Sequence, residues 1–375
     1  MNLGSRTATD RMFDKVTHRS SLPAVLGLLA SALIACTGAC SKRGPRDLGD
    51  KARAELEGSA GGPGATANGT EHVIQTPSPM SRKPRELAKA SSRAIVTDAT
   101  HVYFGDSSDD TLCSLEKMPA EGAKSEPVRI ARRAPVTGAL ALDAQEAALA
   151  WIGNPGDIVL RVPVGGGVPT TIRDRGIFTD VAASAGDVFV TEARGSNGTL
   201  TRVTGTTAAQ LAAFDGTPKG LLVDADAVYV ATSSVLLSSP RTRGEVSELA
   251  RGSAFASPQL DGGWLYATTT HPTGRGRIVV RVKRAGGPLE TVATNVREAP
   301  IATHRGTLFW FDADRPALLS SVVGRDVPTG PGAAPRVVSD DFLLERPTAL
   351  AVDDDGAFVA TGRGEDARIV SISLR

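Results

Sequence analysis

Gly220-Leu221-Leu222-Val223-Asp224-Ala225-Asp226-Ala227-Val228-Tyr229-Val230-Ala231-Thr232 reads as an apolar strand, an aspartate-bearing turn and a second strand with an aromatic near its middle. The same skeleton returns near the carboxyl terminus as Ala349-Leu350-Ala351-Val352-Asp353-Asp354-Asp355-Gly356-Ala357-Phe358-Val359-Ala360-Thr361. Five further stretches keep it: Ala94–Phe104, Ala139–Trp151, Val181–Thr191, Pro258–Thr268 and Ile301–Phe311. That makes seven units.

Working outward, a third strand follows each pair, as in Ile158-Val159-Leu160-Arg161-Val162, Ile278-Val279-Val280-Arg281-Val282 and Ile369-Val370-Ser371-Ile372-Ser373. A fourth closes most units, sometimes after glycines: Gly165-Gly166-Gly167 leads to Thr170-Thr171-Ile172, and Gly286-Gly287 leads to Glu290-Thr291-Val292-Ala293. Short β-branched runs punctuated by Gly and Pro are strand, not helix, patterns. Four strands recurring about every 41 residues match a propeller blade. The spacing therefore predicts an all-β chain, a seven-bladed β-propeller with four-stranded blades over residues 84–375. The last unit ends at Arg375 without a fourth strand, while Arg85-Glu86-Leu87-Ala88, ahead of the first unit, matches the fourth strands Ser247-Glu248-Leu249-Ala250 and Glu290–Ala293. The amino-terminal strand is expected to complete the final blade and remove an open edge. An open solenoid would not need such complementary ends.

Val102-Tyr103-Phe104-Gly105-Asp106 and Leu308-Phe309-Trp310-Phe311-Asp312 resemble degenerate YWTD-type propeller repeats, and Asp353–Val359 is similar to NHL-type repeats. Taken whole, residues 84–375 resemble bacterial lipoproteins built from such blades. The resemblance implies fold far more than function, because propellers host binding, scaffolding and catalysis alike.

Ahead of the repeats lies an address. Lys15, His18 and Arg19 precede the apolar run from Leu22 to Ala35, too short to span a bilayer stably but suited to a signal-peptide core. Met12 offers an alternative start with a more compact charged leader. The run closes on Leu33-Ile34-Ala35-Cys36, which resembles a bacterial lipobox, so residues 1–35 read as a signal peptide and Cys36 as the lipid-attachment site; Cys40 is the weaker acceptor. Acyl chains contribute about 0.8 kcal/mol per buried methylene, enough in combination for a lasting anchor. Lipoprotein sorting implies the outer membrane, since Thr37 stands where aspartate would signal retention. Residues 36–83 read as a tether rich in Gly, Pro and Ser that cannot offset its own ordering entropy. Its roughly 48 residues would span about 35–40 Å as a flexible chain.

The chain carries 42 Lys and Arg against 41 Asp and Glu. Residues 1–35 hold four of the basic and two of the acidic side chains, leaving the remainder near −1. That balance excludes a nucleic-acid partner, which needs a clear basic excess. The three cysteines, Cys36, Cys40 and Cys113, form neither a disulfide framework nor a zinc pattern. Cys113, in Leu112-Cys113-Ser114-Leu115, reads as an inert strand thiol or as a partner for Cys40.

The turn aspartates Asp98, Asp143, Asp224, Asp261 and Asp353 recur at one place in the blade, where an Asp side chain caps its own turn. Trp151, Trp264 and Trp310 lie on or beside second strands and are expected to pack between blades. The face carrying the second-to-third and fourth-to-first loops is the candidate binding rim: Asp106, Arg133, Arg175, Glu192, Arg194, Lys219, His271, Arg297, Asp312, Arg346 and Glu365. Basic residues beside acidic loops can grip an anionic or zwitterionic glycan or a protein loop, and the bland alternative is a solvated rim. His101 and His304 fall in first-to-second turns, on the opposite face from His271, and Asp106, Asp109 and Asp110 lack the glycine and final glutamate of a calcium loop. No HExxH, GxSxG, phosphate-binding glycine loop or CxxC pair is present. The sequence thus favours a non-enzymatic, envelope-anchored monomeric module without a cofactor. A secreted metal-assisted lyase or hydrolase acting at the central channel and a passive structural lipoprotein stay open as alternatives. Convergence of His271 with two or more carboxylates at the channel mouth would favour the enzyme.

Overall fold

A computed structural model describes residues 81–118, 125–323 and 334–375. The expectations for the signal peptide, Cys36, Cys40 and residues 36–80 of the tether lie outside those residues.

All seven units fold as four-stranded antiparallel blades. An opening strand, β1 (Arg85–Ala88), precedes blade 1, which comprises β2 (Ile95–Thr97), β3 (His101–Asp106), β4 (Thr111–Glu116) and β5 (Val128–Arg132). Blade 2 follows with β6 (Leu140–Asp143), β7 (Ala148–Gly153), β8 (Ile158–Pro163) and β9 (Thr170–Asp174). Blade 3 holds β10 (Phe178–Ser184), β11 (Asp187–Arg194), β12 (Asn197–Thr204) and β13 (Thr207–Asp215). In blade 4 these become β14 (Pro218–Val223), β15 (Ala227–Thr232), β16 (Val235–Pro240) and β17 (Ser247–Arg251). Blade 5 is β18 (Ala256–Asp261), β19 (Trp264–Thr270), β20 (Arg277–Lys283) and β21 (Glu290–Val296). Blade 6 is β22 (Ala302–His304), β23 (Thr307–Phe311), β24 (Leu318–Val322) and β25 (Arg336–Ser339). Blade 7 takes β26 (Pro347–Val352), β27 (Gly356–Thr361) and β28 (Arg368–Ser373) from the carboxyl end and β1 from the amino end. The pairing of β1 with β28 runs Arg85↔Ser371, Glu86↔Val370 and Ala88↔Ile369, with a bulge after Glu86. The amino-terminal strand completes the last blade, as expected.

The second strand of each blade is buried along most of its length, which explains its aromatic. In β3, β7, β15 and β27 nearly every residue is enclosed, because both faces of a blade lie against neighbours. Alternation is lost there, and continuous apolar runs replace it. The apolar side chains gather into seven cores, each shared by consecutive blades. Tyr103, Leu112 and Trp151 occupy the seam of blades 1 and 2, Phe178 and Ile152 that of 2 and 3, and Phe189 and Leu237 that of 3 and 4. Around the ring follow Tyr229 with Phe255, Tyr266 with Trp310 and Phe311 with Ile372. The seventh core joins Leu87, Phe104 and Phe358, blade 1 against blade 7. Each large side chain so buried contributes about 1.5–3 kcal/mol, and no blade encloses its own. Trp151 and Trp310 are interblade packing residues, as expected. Trp264 packs against the same core as Trp310 and also lies beneath the guanidinium of Arg281, 4.1 Å from the ring centre. Close approach has its own requirement: Gly220 leaves the space that the Pro258 ring of the next blade fills.

Polar staples reinforce the seams on the face of the first-to-second turns. Asp143 caps its turn through the N–H groups of Gln145 and Glu146, and its other oxygen accepts from Gly186 N of blade 3 at 2.7 Å. Asp224 caps its turn and pairs with Arg284 of blade 5 at 2.5 Å. Asp261 accepts from Gly306 N of blade 6 at 2.6 Å. Asp353 caps its turn and receives the Lys117 ammonium of blade 1. Asp98 accepts from the N–H groups of Thr100 and His101 and from the Tyr103 hydroxyl. Burial pushes its pKa up, but these donors outweigh burial and hold it below the usual carboxylate range. Four of the five turn aspartates cap their own turns, as the sequence implies, whereas Asp261 makes no such cap among the described residues and serves only the next blade, which Asp143, Asp224 and Asp353 also hold.

Candidate functional site

Strand direction alternates within a blade, so loops after second and fourth strands emerge on one face and those after first and third strands on the other. All eleven rim residues sit on or beside the former set. The structure sorts them by what their side chains do.

Several are committed to the scaffold. Asp106 ends β3, and its carboxylate accepts from Ser91 N at 3.3 Å, Ser108 N at 3.0 Å and Ser108 Oγ at 2.7 Å, tying two loops together. Arg297 donates to the carbonyls of Asp312 at 3.0 Å and Arg315 at 3.2 Å, and to that of Glu345. Asp312 is buried and accepts from the N–H groups of Asp314 and Arg315. Glu192 and Arg194 pair with each other at 3.2–3.3 Å.

His271 lies in the loop between β19 and β20. Its Nδ1 accepts from Thr273 N at 3.2 Å and meets Thr273 Oγ1 at 2.7 Å, so the neutral ring carries its proton on Nε2. Among the described residues no carboxylate bonds to it, and no group of three or more His, Cys, Asp or Glu converges.

The remaining residues are exposed. Arg175 has a 3.8 Å contact with Asp174 across open solvent, a pairing worth little. Arg133, Lys219, Arg346 and Glu365 project outward without a side-chain partner among the described residues. Arg133 and Arg175 share a backbone feature: each follows a fourth strand in the left-handed region, with φ of 52° and 62°. Gly216 fills the corresponding place after β13 with φ 96°.

One of these residues, Arg346, lines a cleft on blade 7. The loop into β26 forms a 3-10 turn, Phe342–Leu344, whose N–H at Leu343 is capped by Asp341 at 2.9 Å. Leu344 is fully buried and fixes the turn, which leaves Phe342 standing 74% exposed. Opposite it, the loop between β27 and β28 makes the short turn Gly364–Asp366, which carries Glu365. Between the two turns lies the cleft, of about 270 Å³, whose lining includes Phe342, Arg346, Thr361, Arg363 and Arg368, with the carboxylates of Glu345 and Asp366 among them. Arg368 is tied to Glu86 at 3.2 Å, whereas Arg346 and Arg363 have no side-chain bond among the described residues. The cleft presents an aromatic face and two open guanidinium forks, groups suited to a sugar or side-chain surface bearing a carboxylate. Phe342 is a rim residue that the pattern did not single out, whereas Arg363 lies in the candidate loop Arg363–Asp366. The signal for Phe342 was the apolar triplet Phe342-Leu343-Leu344 set directly behind Asp340-Asp341 in a loop.

No protein-family model matches the chain, and no curated protein sequence matches it. Solved propellers do match in shape. The WD40 β-propeller domain of Doa1 superposes with a TM-score of 0.57 at 13% identity over 78% of this chain and 98% of that one. YCF48 bound to D1 peptide gives 0.54 at 13% identity over 78% and 97%. Oligogalacturonate lyase from Vibrio parahaemolyticus gives 0.53 at 10% identity over 79% and 91%. At such identities the likeness establishes the fold alone, and the fold serves binders and enzymes alike.

Proposed function

We propose that this protein is a non-enzymatic binding module of the cell envelope, held to the membrane by lipid on Cys36, which captures a protein or glycan partner on the rim face of its propeller. The observation that carries this reading is the blade 7 cleft, where Phe342, Arg346 and Arg363 stand exposed together. Lys219 and Arg133 extend the same character to other blades. Unneutralised cations spread over a wide face suit a broad contact with an anionic or zwitterionic partner. The enzymatic alternative finds no support at His271, whose ring is engaged by Thr273.

Site-specific photocrosslinking in the intact envelope tests this. A crosslinker at Phe342 should yield a discrete adduct. One at Val168, 89% exposed on the opposite face, should not. Arg346→Ala with Arg363→Ala should reduce the Phe342 adduct at least tenfold. Equal labelling from both faces, or none from Phe342, would overturn the proposal.

A further inference from the structure

The face opposite the rim holds a second cavity, of about 280 Å³, in the seam between blades 6 and 7. Its floor is one face of blade 6, with Phe309, Ser320 and Val338 buried. Its mouth is charged: Arg82, Arg305 and Arg336 line it together with His304, Asp353 and Asp354.

The carboxylates there are already satisfied. Asp354 accepts from His304 Nε2 at 2.8 Å and from the Arg305 guanidinium. The hydrogen bond from His304, with the Arg305 charge, holds its pKa below the usual carboxylate range. Asp353 is taken by Lys117 and by the N–H groups of Asp355 and Gly356. Once these pairs are set aside, Arg82 and Arg336 retain no carboxylate partner among the described residues. Arg82 donates through one nitrogen to the Ser373 carbonyl, and its backbone N–H bonds Val338 O at 3.0 Å. It is therefore fixed in place between blades 6 and 7 with most of its donors free. Arg336 is exposed on β25 and makes no side-chain bond among the described residues.

Two such guanidinium groups over an apolar floor are complementary to a carboxylate carried on a short hydrocarbon body. We infer that the seam of blades 6 and 7 is a binding site for a small organic carboxylate, its charge held by Arg82 and Arg336 and its body seated on Phe309, Val338 and Leu374. The site is separate from the rim, so it stands or falls independently of the proposed partner-binding face. Because Arg82 belongs to the segment that leads into the ring-closing strand, an anion bridging Arg82 to Arg336 links blade 6 to that segment. Occupancy should then stabilise the closed ring by mass action.

Ligand-observed NMR on the full chain, with hexanoate as probe at constant ionic strength, tests the inference. Inorganic phosphate serves as charge without body, and hexanol as body without charge. Hexanoate should bind saturably at one site and raise the unfolding midpoint, with both controls at least tenfold weaker. Arg336→Gln, which breaks no intramolecular bond among the described residues, should weaken hexanoate at least tenfold, while Arg346→Ala on the rim should not change it. Absence of saturable binding, or equal binding by Arg336→Gln, would overturn the site. Phosphate binding as tightly as hexanoate would overturn the organic body.

Discussion

Asp180 offers the sharpest test of how this ring is held. It sits in β10, the first strand of blade 3. One carboxylate oxygen accepts from its own chain at Val181 N, 2.8 Å away, and the other from Leu221 N of blade 4, 2.7 Å away. Both bonds favour the charged form, yet burial outweighs them and pushes the pKa up to about 7. Although the residue as a whole is half-buried, protein surrounds the carboxyl itself. The unfolded chain releases this proton near pH 4. From there to pH 7 the native state binds more protons than the unfolded state, so stability falls as pH rises, and levels off above pH 7. A shift of about 3 units at about 1.4 kcal/mol each makes the loss on the order of 4 kcal/mol.

Asp180→Asn removes the titration. The amide keeps one acceptor and places an NH₂ against the other N–H, costing about 1 kcal/mol. By pH 4.5 the wild type has already lost about 1 kcal/mol of this contribution, so the two proteins should be about equally stable there. By pH 8 the variant should be the more stable of the two. Urea unfolding of both proteins from pH 4.5 to 8 measures the difference, and the lowered carboxylates Asp98 and Asp354 lose their contribution only as pH falls through and below pH 4. A difference constant to within about 0.5 kcal/mol over that range would refute the claim that burial governs this carboxyl.

Three other outcomes follow from the same physical terms. Arg133→Gly and Arg175→Gly should each raise stability by about 0.5–1 kcal/mol in thermal unfolding, because a left-handed backbone costs a side chain that glycine does not carry. Lys117→Ala should destabilise by about 3 kcal/mol, since the ammonium, only 3% exposed, joins blade 1 to Asp353 and Asp355 and lies 5.4 Å from the centre of the Phe358 ring; urea denaturation reads this directly. Cys113 is buried, burial raises its pKa, and its sulfur meets Thr111 Oγ1 at 3.4 Å. In a background with Cys36 and Cys40 changed to Ser, its alkylation by iodoacetamide should be at least a hundredfold slower in buffer than in denaturant.

The blades were legible because their information is local. A first strand, a turn and an aromatic second strand occupy thirteen residues in Gly220–Thr232, and short β-branched and apolar runs broken by turn residues mark where each element lies. Closure was legible too, since Arg85–Ala88 has the composition of a fourth strand and the last unit lacks one. Position alone announced the caps at Asp98, Asp143, Asp224 and Asp353, but not the N–H groups of Gly186 and Gly306 from which Asp143 and Asp261 accept.

Strand, blade and blade number are thus written in residues close together along the chain. Which charges are already neutralised depends on contacts between distant parts of it. The fold spent Arg297 and Asp312 on the scaffold, left Arg346 and Arg363 open beside Phe342, and gathered Arg82, His304, Arg336 and Asp354 around one seam. The physical reason is that a propeller's interfaces lie between blades. Side chains one repeat apart, or at the chain's two ends, come into contact there, and no pattern within a repeat records which of them will find a partner.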